Sequence, residues 1–177
     1  MRRAVGAALA GLAVAGTASI VTTPWSQRGE GPVDAAQAAS RLRLSADPAV
    51  RVLGADRLTA NGRYSYSFTV TNTGDRPVRG LVARSEKIVG GRAGTAMHIE
   101  SVSDPSCHRF ERVICSFPTL RAGERRTVEV VGSTSAARRP GDVLHINTYL
   151  ATFAPGVRGQ VSYDVLGRPV STVTAFG

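Results

Sequence analysis

The 177-residue chain is short of the groups that usually advertise chemistry: two cysteines, three histidines, one tryptophan and a single lysine, Lys87, against 21 arginines. Two cysteines exclude a multi-bridge disulfide scaffold and a four-thiolate zinc site. They are not spaced C-x-x-C, which excludes the usual redox pair and metal half-site. His98, His108 and His145 lie far apart, and none adjoins a nucleophile motif. There is no G-x-S-x-G elbow, no phosphate-cradling glycine loop and no paired-carboxylate spacing among the 13 acids. The chain therefore reads as non-enzymatic, with no catalytic, cofactor-binding or metal-ligating residue to single out and no cofactor. A Ser–His–Asp set can still assemble in space from any order in sequence, so a hydrolase with an unrecognised site is the weakest alternative.

Single-sign charge tracts are also missing. The net charge is +9, yet no block of five like charges occurs, and beyond the N-terminus the densest points are Arg125-Arg126 and Arg138-Arg139. No aromatic stacking platform accompanies these pairs, so specific nucleic-acid binding is not expected. What is present is a 42% hydrophobic fraction, enough for one domain with a real core, together with 19 glycines and nine prolines.

The N-terminus reads as an export signal. Arg2 and Arg3 precede an uncharged run from Ala4 to Val21 that is dominated by Ala and Gly. Ala and Gly gain little on transfer to lipid, so cleavage is favoured over a stable membrane span. Gly16-Thr17-Ala18 and Ala36-Gln37-Ala38 both offer a small-x-small cleavage site, with a slight preference for the second. On that reading residues 1–38 are signal peptide and flexible linker, and the mature protein, secreted or cell-surface associated, retains 19 basic and 11 acidic side chains. In an exported chain Cys107 and Cys115 form the one possible disulfide, around a short charged loop.

From Arg41 onward the apolar period is two. Tyr64, Tyr66, Phe68 and Val70 fall on one face of a strand, with Ser65, Ser67, Thr69 and Thr71 on the other. Asn72-Thr73-Gly74-Asp75 closes it, Gly74 being free to take a positive φ. Further runs cover Leu42–Leu44, Val50–Leu53, Pro77–Val89, Ala96–Val102, Arg112–Phe117, Arg125–Gly132, Val143–Phe153, Gln160–Leu166 and Val170–Ala175. Turn signals separate them at Gly90-Gly91, Asp104-Pro105, Ala122-Gly123, Pro140-Gly141, Pro155-Gly156 and Gly167-Arg168. Short strands at this spacing predict an all-β antiparallel sandwich of about seven to nine strands.

Three stretches, RYSYSFTVTNTGD (Arg63–Asp75), VICSFPTLRAGERRTVEV (Val113–Val130) and HINTYLA containing Asn147, resemble the bacterial conserved-repeat family known as domain of unknown function eleven. The resemblance covers about Ala49 to Phe153 and implies an immunoglobulin-like sandwich of the kind found on exported and surface proteins. It implies no catalytic residue. Asn72, Gly74, Gly123 and Asn147 take structural roles at turns, Asn147 as a tie between a loop and the sheet. The domain then spans 39–153, with 154–177 as a C-terminal strand or hairpin.

These readings converge on a secreted, non-enzymatic structural or binding module at the cell envelope. Its expected partners are anionic envelope polymers or another envelope protein, met through Arg109, Arg112, Arg138 and Arg139. The second expectation is a protease inhibitor that presents the disulfide loop.

Overall fold

The computed structural model describes residues 31–89, 92–93, 97–154 and 162–177. Arg2, Arg3, the apolar run, the Gly16-Thr17-Ala18 site and the turns at Gly90-Gly91 and Pro155-Gly156 lie outside the described residues. The strands are β1 (Val33–Asp34), β2 (Leu42–Ala46), β3 (Arg51–Leu53), β4 (Arg63–Asn72), β5 (Val78–Val89), β6 (Arg92–Ala93), β7 (His98–Val102), β8 (Cys107–Arg109), β9 (Val113–Leu120), β10 (Arg125–Ser133), β11 (Val143–Ala154) and β12 (Ser162–Ala175). Among the described residues, a single 3-10 turn, Ala39–Arg41, is the other regular element.

Two sheets face each other. One has the order β2-β4-β10-β7, with β3 continuing the β2 edge; the other has the order β12-β11-β5-β9-β8, with β1 and β6 attached to β5. Apart from the parallel β1–β5 pair, the pairings are antiparallel. The orders β2-β4-β10-β7 and β12-β11-β5 are the ABED and GFC arrangements of the immunoglobulin sandwich. The β8–β9 hairpin is an addition at the free edge of β5.

The core forms where the two inner faces meet. Tyr64, Tyr66, Phe68 and Val70 of β4 face Leu81 and Ala83 of β5, Val113, Cys115 and Phe117 of β9, and Ile146 and Leu150 of β11, all essentially without solvent contact. Hydroxyls inside this core are paired: Tyr66 Oη and Ser85 Oγ lie 2.7 Å apart across the sandwich, and within the larger sheet Thr148 Oγ1 donates to Ser85 Oγ at 2.9 Å. That pairing meets the desolvation cost of burying them. Gly132 of β10 is required by the same packing, because a Cβ there would sit 2.9 Å from the Tyr64 hydroxyl.

Asn72 is fully buried; its amide donates to the Arg76, Leu120 and Arg121 carbonyls, while its Oδ1 accepts from Gly74 N–H at 3.0 Å. It thereby joins the end of β4 to the β9–β10 turn, where Gly123 takes φ 71°. Gly74 does not take a positive φ; an added Cβ would lie 2.8 Å from Cδ of the half-exposed Arg41 side chain, which would have to shift. Asn147 ties strand to strand, not loop to sheet, by accepting from Ser171 Oγ of β12 at 2.7 Å.

Two boundaries differ from the sequence reading. The fold already includes Val33 to Ala38, because β1 pairs with β5 and Ala35 and Ala38 are buried in the core. Short alanine-rich segments carry no period, which is why 31–38 reads as linker. At the other end, the described part of the Gln160–Leu166 run, from Ser162, and Val170–Ala175 belong to one strand. Gly167 takes φ 75°, but Gly167–Pro169 form a bulge opposite Tyr149 within β12 and not a chain reversal.

Candidate functional site

The arginines singled out by sequence occupy the hairpin end of the sandwich. Cys107 and Cys115 are bonded and are also register partners, so the disulfide clamps β8 to β9. Arg109 donates to the Ile99 carbonyl of β7 at 3.2 Å and also to that of Glu100, which closes the edge between the two sheets. Arg112 lies 3.8 Å from Glu86 and 3.9 Å from Glu111, and Arg138 pairs with Asp142 at 3.8 Å. Met97 N–H donates to the Glu111 carbonyl at 3.0 Å and lines a cavity with Lys87 and Arg138, so the hairpin and the Arg138 turn share one end of the molecule. That cavity, about 30 Å³, has room for a water but for no larger ligand. Burial, and then the Arg138 charge, lower the Lys87 pKa. Three of the four arginines thus have internal partners, while the Arg139 side chain is exposed. At the hairpin tip Phe110 is 86% exposed.

A different cluster lies on the outer face of the larger sheet. In β5 and β11 the register pair Val82 and Ala151 points away from the core by alternation, yet both are fully buried. The long side chains of neighbouring rows on that face account for their cover. Tyr149 is the register partner of Arg84, and Phe153 that of Tyr163. The Arg84 guanidinium carbon sits 5.6 Å from the Tyr149 ring centroid and 5.5 Å from that of Tyr163, a double cation–π contact. The Tyr163 and Phe153 rings are 5.4 Å apart and tilted. Phe153 is 51% exposed and Val165, beside Ala151, is 54% exposed.

Glu86 fixes this strip from one side. Its carboxylate accepts from Arg84 Nη2 at 2.8 Å and from the Tyr149 hydroxyl at 3.2 Å, and both members of the ion pair are largely covered. Burial pushes the Tyr149 phenol up to about 12, helped by Glu86 and opposed chiefly by Arg84. The next row is polar: Ser171 Oγ, donating to Asn147, lies 3.3 Å from His145 Nε2. This Ser–His contact lies on the open sheet face, and the serine proton is directed to the amide.

At its far end the strip runs into a groove of about 350 Å³, where β1 and β11 flank β5. Phe153, Gly80, Thr152 and Asp164 line one part, and the Asp34–Arg79 ion pair (2.9 Å) lines the other. Among the described residues, no group of three His, Cys, Asp or Glu side chains is placed to hold a metal ion, and no helix is long and apolar enough to cross a membrane.

The sequence reading missed Arg84, Tyr149, Phe153, Tyr163, Asp34 and Asp164. A usable signal existed in β11, where Leu144, Ile146 and Leu150 supply the core while Val143, Tyr149, Ala151 and Phe153 make the opposite face apolar as well. A half-buried antiparallel strand needs only one such face.

No known protein family and no curated protein matches the chain. Solved structures give distant likenesses. The macrocyclisation enzyme AvmM of alchivemycin A biosynthesis is 14% identical over 77% of this chain and 89% of that one, with a TM-score of 0.46. The exo-β-N-acetylglucosaminidase of Vibrio harveyi is 12% identical over 71% of this chain, TM-score 0.39; this chain spans only 17% of that enzyme. A carbohydrate-binding module of Ruminiclostridium thermocellum is 12% identical over 68% of this chain and 97% of its own, TM-score 0.33. At these values no site residue and no activity carry over.

Proposed function

We propose that the chain is an exported, non-enzymatic binding module that attaches to cell-envelope polymer through the outer face of its larger sheet. The observation that supports this is the Tyr149–Arg84–Tyr163–Phe153 strip: an ordered aromatic surface left open to solvent on the face the core does not use. The four arginines first suggested as contacts are weaker candidates, because Arg109, Arg112 and Arg138 already have partners. Export rests on the basic start and apolar run of the leader and on the Cys107–Cys115 disulfide, which persists in oxidising compartments. Cleavage after Ala38 would remove β1 and two buried alanines, so the Gly16-Thr17-Ala18 site becomes the preferred one.

Sedimentation with isolated envelopes tests the reading. The exported protein should co-sediment, its mass should place the N-terminus before Val33, and Phe153→Ala with Tyr163→Ala should reduce the bound fraction at least tenfold. Absence of sedimentation at low salt, or equal binding by the double variant, would sink it.

A second reading, a secreted protease inhibitor, is favoured by Phe110. A disulfide-clamped hairpin with an almost fully exposed aromatic tip presents a rigid apolar anchor. Chymotrypsin-like activity unchanged at large molar excess of the protein would remove it.

A further inference from the structure

We infer that the ligand of the outer-face strip is a neutral pyranose polymer, laid along Tyr149, Tyr163 and Phe153 with one end in the groove beside β1. This inference rests on the reading of that face as the binding surface and adds the chemistry of what it takes.

Charge comes first. The chain carries +9, but the strip and groove do not share that excess. Arg84 is held by Glu86 and Arg79 by Asp34, and Asp164 adds a further carboxylate to the groove. A polyanion approaching here would have to break ion pairs and pass carboxylates, so the local field opposes it. A cationic peptide fares no better, because the Arg84 guanidinium beside the Tyr149 and Tyr163 rings would repel a second cation.

A neutral sugar chain meets neither obstacle. One face of a pyranose ring is lined by C–H bonds of slightly positive character, and it packs on the negative face of an aromatic ring. Phe153 and Val165 are each about half exposed, so their burial under such a ring is favourable. The hydroxyls on the rim of the sugar need acceptors and donors in turn. Asp164 and Asp34 offer acceptor oxygens at the groove, and Asn147, Ser171 and His145 form a polar row at the opposite end of the strip. From the Phe153 row to the Tyr149 row is four residues of strand, about 13 Å, which spans more than one sugar ring. Glu86 and Arg84 hold both tyrosines in place before any ligand arrives, which lowers the ordering cost of binding.

Native affinity electrophoresis of the full chain tests this. The gels would contain laminarin, glucomannan, hydroxyethylcellulose, glycogen or dextran, with alginate and polyglutamate as anionic polymers. Retardation by at least one neutral polymer is expected, unchanged between 50 and 500 mM NaCl to within about twofold, as screening acts on charged contacts only. Phe153→Ala and Tyr163→Ala should each weaken it about tenfold or more, and Asp164→Asn severalfold. Arg125→Ala, an exposed charge on the smaller sheet away from the proposed contacts, should leave it within twofold. Circular dichroism of each variant separates lost binding from lost folding. Retardation by no neutral polymer overturns the inference. So does binding confined to the anionic polymers, abolished by salt or by Arg125→Ala; envelope retention that still needs Phe153 would then leave the binding-module reading standing without a neutral ligand.

Discussion

The two faces of the larger sheet are built from the same strands and do different work. On the inner face of β5, Leu81, Ala83 and Ser85 are sealed by the opposite sheet, and their one polar group is bonded to Tyr66 and Thr148. On the outer face, Val82, Arg84 and Glu86 have no second sheet above them. Val82 is nonetheless sealed, and Arg84 and Glu86 are mostly covered by the aromatic residues of β11 and β12 and by each other. The inner face is closed by tertiary packing and the outer face by its own long side chains. A surface that covers itself with rings and a paired guanidinium is ordered and yet still leaves apolar area for a ligand.

This comparison can be broken first at its strongest side. Phe68→Ala, deep in the inner core, should cost about 3–5 kcal/mol of unfolding free energy in urea titrations. A loss below about 1 kcal/mol would mean that the two faces are not differently packed. Next in size, Cys107→Ser with Cys115→Ser should cost about 2–3 kcal/mol, the closure entropy of so short a loop. Because the disulfide clamps an edge hairpin and not the two sheets, the double variant should keep its circular dichroism spectrum and its outer-face binding; collapse of both would contradict that division.

Alkaline titration compares a tyrosine of the inner core with one of the outer face. Burial raises Tyr64 to about 12, aided by the nearby Glu100 carboxylate, and raises Tyr149 equally high. Burial also raises Tyr66. A folded pKa above the unfolded value near 10 means that the stabilisation is complete below pH 10 and is lost between about 10 and 12 as the phenolates form. Absorbance at 295 nm should therefore show these phenols ionising late, together with unfolding. Ionisation of Tyr149 near pH 10 would show that Arg84 and Glu86 do not cover its phenol. The smallest effect belongs to Phe153→Ala. Half exposed, it should change stability by no more than about 1 kcal/mol while removing binding. A loss comparable to that of Phe68→Ala would make Phe153 a core residue and not a contact.

Much of the inner face was legible in advance. Tyr64, Tyr66, Phe68 and Val70 announce a half-buried strand because strand periodicity is local, and Asn72 with Gly123 marks turns that need no distant partner to be recognised. The outer face was not legible. Arg84, Tyr149 and Tyr163 are remote from one another in the chain and meet only when β5, β11 and β12 pair in one register. Asp34 and Asp164 stand at opposite ends of the described chain and converge on one groove because β1 adds to β5 just beyond the end of β11. Conversely, Arg109, Arg112 and Arg138 look free in sequence, since nothing local shows the carbonyls and carboxylates that occupy them.

The sequence alone determined an all-β sandwich, the single possible disulfide and the absence of recognised catalytic motifs, because alternation, cysteine count and motif spacing are properties of short stretches. Only the tertiary structure decided that 33–38 belong to the fold, that β12 is one bulged strand, and that the open aromatic surface lies on the outer sheet face. Those features depend on which strands pair and in what register, and register is set by long-range burial that no short stretch contains.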